Sequence, residues 1–183
     1  MAEQQEWREM ADEFWRSFRT MQAELDLRFK ATDQKLNRLE GMFGLQWGRL
    51  VEALVQPNAV SLFQERGIQV HRWHQRSKSQ LNGETMELDI ILENSDEVVI
   101  VEVKTSLHSN DVQDFLADLR QVKRFFPSYE GYRIYGAVAG LEIGEEAARY
   151  AYRQGLFVVQ VAGEGMAQMR NDAAFKPRDF GVE

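Results

Sequence analysis

Apolar and polar positions alternate with a period of two over two neighbouring runs, Met86 to Glu93 and Val98 to Lys104, with Asn94-Ser95-Asp96 between them. Such alternation predicts a hairpin of two strands, each with one apolar face. In the first run Glu87, Asp89 and Ile91 fall on one face and Leu88, Ile90 and Leu92 on the other. In the second, Glu102 and Lys104 oppose Val99, Val101 and Val103. The spacing thus predicts that Asp89, Glu102 and Lys104 converge on one side of a sheet whose other side is apolar. Holding three ionisable groups beside a hydrophobic core is costly unless they are paired or used. The alternative is a solvated face on which Glu102 and Lys104 are simply alternating polar positions.

The period changes elsewhere. From Phe14 to Phe43, apolar or near-apolar residues recur at spacings of three and four, the seam of a coiled coil. Consecutive fours around Leu25 break the strict heptad and predict local unwinding of the supercoil. Residues 1–43 are therefore expected to form a long helix that brings copies of the chain together, a dimer being the simplest outcome. The same seam also suits a single amphipathic helix folded back on a globular domain. Gly41, Gly44 and Gly48 interrupt the pattern before a second, mostly apolar helix from Leu45 to Gln56, whose only acid is Glu52. Pro57 resets the backbone, and a short helix from Asn58 to Arg66 is closed by Gly67.

Ile68 to Lys78 alternates as a strand and carries Arg72, Trp73, His74, Arg76 and Lys78. This basic, aromatic-containing segment is the best candidate for phosphate contact, the alternative being a solvated strand face with Trp73 in the core. Asn82-Gly83 marks a tight turn into the central hairpin. After Lys104 the pattern predicts a loop over 105–109 and a helix from Asn110, its cap, to Phe126, with Lys123 in a second small basic patch. Tyr132 to Gly140 reads as a strand buried on both faces after a crossover, Glu145 to Gln154 as a helix and Leu156 to Val161 as a further strand. Residues 170–183 read as a loosely attached tail.

Composition narrows this picture in three ways. With 183 residues, 44% of them hydrophobic, the chain suits one compact domain plus an appendage. The absence of cysteine removes disulfides and thiolate metal sites, and no apolar run approaches membrane length, so a cytoplasmic protein without membrane association is expected. A net charge of −7 argues against a broad electrostatic grip on nucleic acid, so any such contact must be local.

Asp89 followed on the next strand by Glu102-Val103-Lys104 resembles the signature of the PD-(D/E)XK, or restriction-endonuclease-like, superfamily of metal-dependent nucleases. Leu88 stands where that superfamily often has proline. The whole chain resembles bacterial and archaeal proteins of unassigned function that fuse a coiled coil to such a domain. The resemblance implies an α/β fold: a restriction-endonuclease-like mixed sheet flanked by helices over residues 44–169, preceded by the long N-terminal coiled-coil helix.

Phosphodiester hydrolysis needs a hard divalent cation, magnesium or manganese, on oxygen ligands. Asp89 and Glu102 could supply two carboxylates, with the Val103 carbonyl nearby, while Lys104 would orient water or neutralise developing charge. The resemblance assigns the motif residues the same roles and adds Glu52 as an extra acid from the preceding helix. Glu52 is otherwise a rim carboxylate paired with Arg49. On this reading Arg72, His74, Arg76, Lys78 and Lys123 contact nucleic acid, DNA ahead of RNA. The competing reading is a non-catalytic, oligomerising interaction protein built on the same domain.

Overall fold

The computed structural model describes residue 55, residues 58–161 and residues 167–182. The coiled-coil expectation for residues 1–43 lies outside the described residues, as does Glu52.

Six strands form one mixed sheet in the order of the chain: β1 (Arg72–Leu81), β2 (Glu84–Glu93), β3 (Glu97–Leu107), β4 (Arg133–Ile143), β5 (Phe157–Val161) and β6 (Ala167–Met169). The first three are antiparallel neighbours, β3, β4 and β5 run parallel, and β6 returns antiparallel to β5. Helix α1 (58–64) precedes the sheet. Helices α2 (Ser109–Leu119) and α3 (Val122–Phe125) connect β3 to β4, and α4 (Glu145–Arg153) connects β4 to β5. A parallel pair cannot be joined by a tight turn, so each crossover carries helix.

The sheet is covered on both faces. Val98 and Ile100 of β3, Ile134 and Val138 of β4 and Val158 of β5 pack with the buried faces of α2 and α4. Their sequence neighbours Val99, Val101, Tyr135, Ala137 and Phe157 pack on the opposite face with Ala59 and Phe63 of α1. This accounts for the unbroken apolar runs of the central strands. Gly136 lets α2 approach closely, because a Cβ there would lie 2.5 Å from both Leu119 Cδ1 and Leu156 Cδ2.

Turn chemistry follows the sequence closely. Asn82 and Gly83 both have positive φ, 52° and 85°, as a two-residue turn between Leu81 and Glu84 requires. At the other end of the hairpin the Asn94 side-chain oxygen accepts hydrogen bonds from the backbone of Asp96 (2.9 Å) and Glu97 (2.7 Å).

Several expectations shift. β3 continues to Leu107 through the segment expected as a loop, because Ser106 and Leu107 still pair with Glu142 and Ile143. His108, not Asn110, caps α2, and its backbone N–H donates to Asp111 Oδ2 at 2.7 Å. The long helix expected up to Phe126 breaks at Arg120 and Gln121. Residues 170–182 are also docked rather than loose. Asn171, 4% exposed, accepts from the Val158 N–H and donates to the Leu156 carbonyl, while Phe180 is buried in the core under α2 and α4.

The hairpin departs from a flat, regular sheet at one level. Met86 and Leu88 pack in the core under α2 and α4, but Ile90 and Leu92 pack in the core under α1, and Ile91 rejoins the first. Leu88 and Ile90 would share a face in a regular strand. The expected grouping of Leu88 with Ile90 and Leu92 therefore fails, because both strands of the β1–β2 ribbon turn over between the pairs Gln75–Ile90 and Ser77–Leu88. At the same level the pairing of β2 with β3 stops, its last pair being Ile90 with Val101. Beyond it the ribbon leaves the sheet and curls onto the α3 end, where Ser79 Oγ donates to the Phe125 carbonyl (2.6 Å) and Arg124 pairs with Glu84 (2.7 Å).

Candidate active site

The parting of β2 from β3 opens a wedge, and the motif residues occupy it. Asp89 is the first β2 residue past the last β2–β3 pair, and its Oδ2 accepts the Val103 backbone N–H at 2.8 Å. A carboxylate thus replaces a strand carbonyl as the partner of that amide, which ties Asp89 to β3 after the ladder has ended. The N–H and C=O of a strand residue point to the same edge, so the Val103 carbonyl also faces the Asp89 side. Glu102 and Lys104, two residues apart on β3, form an ion pair of 2.7 Å. The Glu102 side chain is 19% exposed and that of Lys104 39%, so the pair sits at the mouth of the wedge with its acid turned inward.

The electrostatics of the wedge are lopsided. Burial pushes the Glu102 carboxyl up to about 7, the negative charge of Asp89 pushes the same way, and the bond to Lys104 only partly offsets them. For Lys104, burial works to lower the pKa, but Glu102, Asp89 and Asp111 outweigh it and hold the ammonium above its ordinary value. Lys104 is thus held charged beside a carboxyl that burial and Asp89 push toward its neutral form.

Helix α2 adds to that push. Burial and then Asp114 raise the Asp118 carboxyl, with Lys104 opposing, and Asp118 in turn pushes Glu102 further up. Asp118 also lines a cavity of about 290 Å³ with Glu84, Glu87, Gln121 and Phe125, between the curled ribbon and α2. Sequence reasoning missed Asp118. The available signal was the spacing of Asp111, Asp114 and Asp118, three and four apart on one side of α2, which sets an acidic stripe beside the strand that carries Glu102.

Of the residues expected to meet nucleic acid, Arg72, His74, Lys78 and Lys123 lie elsewhere and have partners of their own. Arg72 Nε and His74 Nε2 reach the same Glu93 oxygen at 3.2 and 3.3 Å, and Lys78 pairs with Glu87 at 2.9 Å. Lys123 Nζ donates to the Gly181 carbonyl. Arg76 stands opposite Asp89 in the β1–β2 register, between Gln75–Ile90 and Ser77–Leu88. Trp73 is 45% exposed and so is not a core residue. Asp89, Glu102, Val103 and Lys104 are brought together; Arg72, His74 and Lys78 sit along the sheet's edge strand, and Lys123 is held against the C-terminal segment.

Among the described residues no three His, Cys, Asp or Glu side chains are grouped as a metal cage. Two inward carboxylates still suit an ion that retains several waters and takes further oxygens from a substrate phosphate, as magnesium does. The negative charge around Glu102 is what a cation would relieve. The donor set is oxygen only, which disfavours soft metals.

No protein-family model matches the chain, and no curated protein does. Solved structures similar to it include AF1548, a protein of unknown function, at 18% identity and a TM-score of 0.41; the alignment covers 60% of this chain and 56% of that one, so the chain spans little more than half of its length. The small subunit of a heterodimeric restriction endonuclease aligns at 14% identity and a TM-score of 0.33, over 60% of this chain and 68% of its own. SfsA of Pyrococcus furiosus, solved in complex with Ca2+, aligns at 15% identity and a TM-score of 0.30, over 78% of this chain and 65% of its own.

Proposed function

We propose that the chain is a metal-dependent nuclease that hydrolyses phosphodiester bonds of nucleic acid at the wedge between β2 and β3. The observation that carries this reading is the convergence of Asp89, Glu102 and Lys104 where the strands part, with Glu102 pushed up to about 7 by burial and by Asp89. Asp89 and Glu102, with the Val103 carbonyl between them, would hold magnesium or manganese. Such an ion supplies charge neutralisation at the phosphate and a more acidic bound water.

The chain's own residues have separable tasks. Asp89 is held at Oδ2 by the Val103 N–H, which fixes its carboxylate at the wedge without a search over rotamers. Glu102 holds Lys104 at 2.7 Å, which keeps the ammonium at the mouth, where a scissile phosphate entering from solvent would place its non-bridging oxygens. Asp118 keeps the wedge negative in the absence of a cation and so favours loading it. Self-association through residues 1–43 belongs to the same proposal and would present two such sites; light scattering on the full chain tests it, a monomer contradicting it.

A second reading, a non-catalytic interaction protein, is favoured by one observation: Arg72, His74, Lys78 and Lys123, expected to meet phosphate, are already bonded within the chain. Cleavage assays on duplex, single-stranded and branched DNA and on RNA, with Mg2+ or Mn2+ and an EDTA control, separate the two. Cleavage that needs the ion and is lost in Lys104→Ala supports the nuclease. Cation binding without cleavage of any substrate supports the interaction protein.

A further inference from the structure

Arg76 lies in the middle of β1 with φ of 51°, in the left-handed region that a non-glycine residue adopts only at a cost. The conformation does not accommodate an inserted residue. The register reads Gln75 with Ile90 and Ser77 with Leu88, so one residue on each strand, Arg76 and Asp89, lies between two regular pairs. A β-bulge would place two residues against one, and none is present here. Instead the ribbon turns over at this level, Leu88 packing under α2 and α4 and Ile90 under α1. Pairing of β2 with β3 ends at the same level, and there Asp89 takes the Val103 N–H in place of a ladder bond.

The three events coincide, and the left-handed backbone at Arg76 is a local cause for all of them. A left-handed residue rotates the peptide planes on either side of it, and through the β1–β2 ladder it rotates the partner strand too. We infer that Arg76 is a positioning residue: its left-handed backbone, opposite Asp89, turns the β1–β2 ribbon over and thereby aims the Asp89 carboxylate at the Val103 amide and into the wedge between β2 and β3. The role belongs to the backbone at this position, independent of any phosphate contact by the guanidinium. It deepens the nuclease reading, since it explains how one of the two proposed cation-holding carboxylates is placed, and it concerns geometry that exists without a cation.

Backbone strain of this kind is distinguishable from a side-chain role by the choice of replacement. Glycine adopts positive φ freely, whereas a β-branched residue is forced back toward extended backbone. The Val103 amide is the reporter: its hydrogen exchange and its proton chemical shift, read by NMR on the full chain without metal, depend on Asp89 reaching it. Arg76→Gly is expected to keep the Val103 amide shift and its slow exchange, with a denaturant midpoint no lower than that of the parent. Arg76→Val is expected to speed Val103 exchange by about tenfold or more, relative to core amides such as Val101, and to weaken Mn2+ binding in calorimetry by a similar factor.

If Arg76→Gly loses the Val103 signature, the backbone assignment is overturned, and this outcome stands even should Arg76→Val fail to fold. Wild-type Val103 exchange in Arg76→Val overturns it as well. Should the parent chain bind no Mn2+ while the Val103 signature still follows the Gly and Val pattern, the positioning role holds and the nuclease reading is what fails.

Discussion

Two charged regions of this molecule treat their charge in opposite ways. Along β1 the basic side chains Arg72, His74 and Lys78 each meet a carboxylate, Glu93 or Glu87, with their own side chains 53–61% exposed. In the wedge between β2 and β3, Glu102 is mostly buried, pairs with Lys104 and feels the negative charges of Asp89 and Asp118. Water screens the first set, so its pairs are individually cheap to make and to lose. In the second set Glu102 is largely withdrawn from water, and that burial first, then the charge of Asp89, raises its carboxyl to about 7. An acidic protein can thus keep basic side chains paired at an exposed edge while gathering carboxylates at one partly buried point, and that point is where chemistry is to be sought.

The contrast can be broken hardest from beneath the wedge. Val101, fully buried on the α1 face, lies next to Glu102 in sequence but points the opposite way. Val101→Asp puts an unpaired charge into a dry core and is expected to cost more than about 4 kcal/mol, seen as loss of cooperative unfolding in urea. Tolerance of that aspartate would mean the faces of β3 are misassigned.

Next in size is the pH dependence from Glu102. Its folded pKa, about 7, lies above its ordinary value of 4.5, so the folded state binds the extra proton between these values. The contribution to stability is present in full below pH 4.5, is lost as pH rises through 7, and does not change above about pH 8. Glu102→Gln should remove this slope and raise stability at pH 8 by up to about 3 kcal/mol, checked by urea melts from pH 5 to 8. A parent whose slope over that range is unaffected by the substitution would contradict the assignment.

Asp89→Ala deprives the Val103 N–H of its acceptor while relieving repulsion on Glu102. Loss of the bond costs about 1–2 kcal/mol and the relief returns part of it, so a small net destabilisation is expected in thermal melts at pH 8. At low pH, where Glu102 is protonated, the relief disappears and the same substitution should cost more. The smallest effect belongs to the edge. Lys78→Ala, breaking an exposed pair with Glu87, should change stability by under about 1 kcal/mol and by less still in 1 M salt.

The parts of this arrangement that follow from local pattern were legible in the sequence. Asn82-Gly83 and Asn94 fix the two turns of the β1–β2–β3 meander, and the unbroken apolar runs of β4 and β5 mark strands buried on both sides. The convergence of Asp89 with Glu102 and Lys104 was legible too, although by a route that was only half right. Period-two alternation predicts a regular β2 through Asp89, whereas the strand turns over there and Leu88 and Ile90 part company. Nothing in the residue types announces that turn, since Arg76 is an unusual occupant of a left-handed position and the partner strand reads as a smooth apolar run.

The pairing of the β1 basic side chains was hidden for a different reason. Only the cross-strand register sets Glu93 and Glu87 against Arg72, His74 and Lys78. The docking of residues 170–182 depends on Asn171 and Phe180, single residues without period whose partners lie far away in the chain.

The central claim is that the wedge between β2 and β3 is built to take a hard cation. Calorimetric titration of the full chain with Mn2+ at pH 8 tests it directly, with Asp89→Ala and Glu102→Gln run alongside. The expected result is a single saturable site in the parent, weakened by at least about tenfold in each variant. Absence of binding in the parent, or binding that neither substitution weakens, would contradict it.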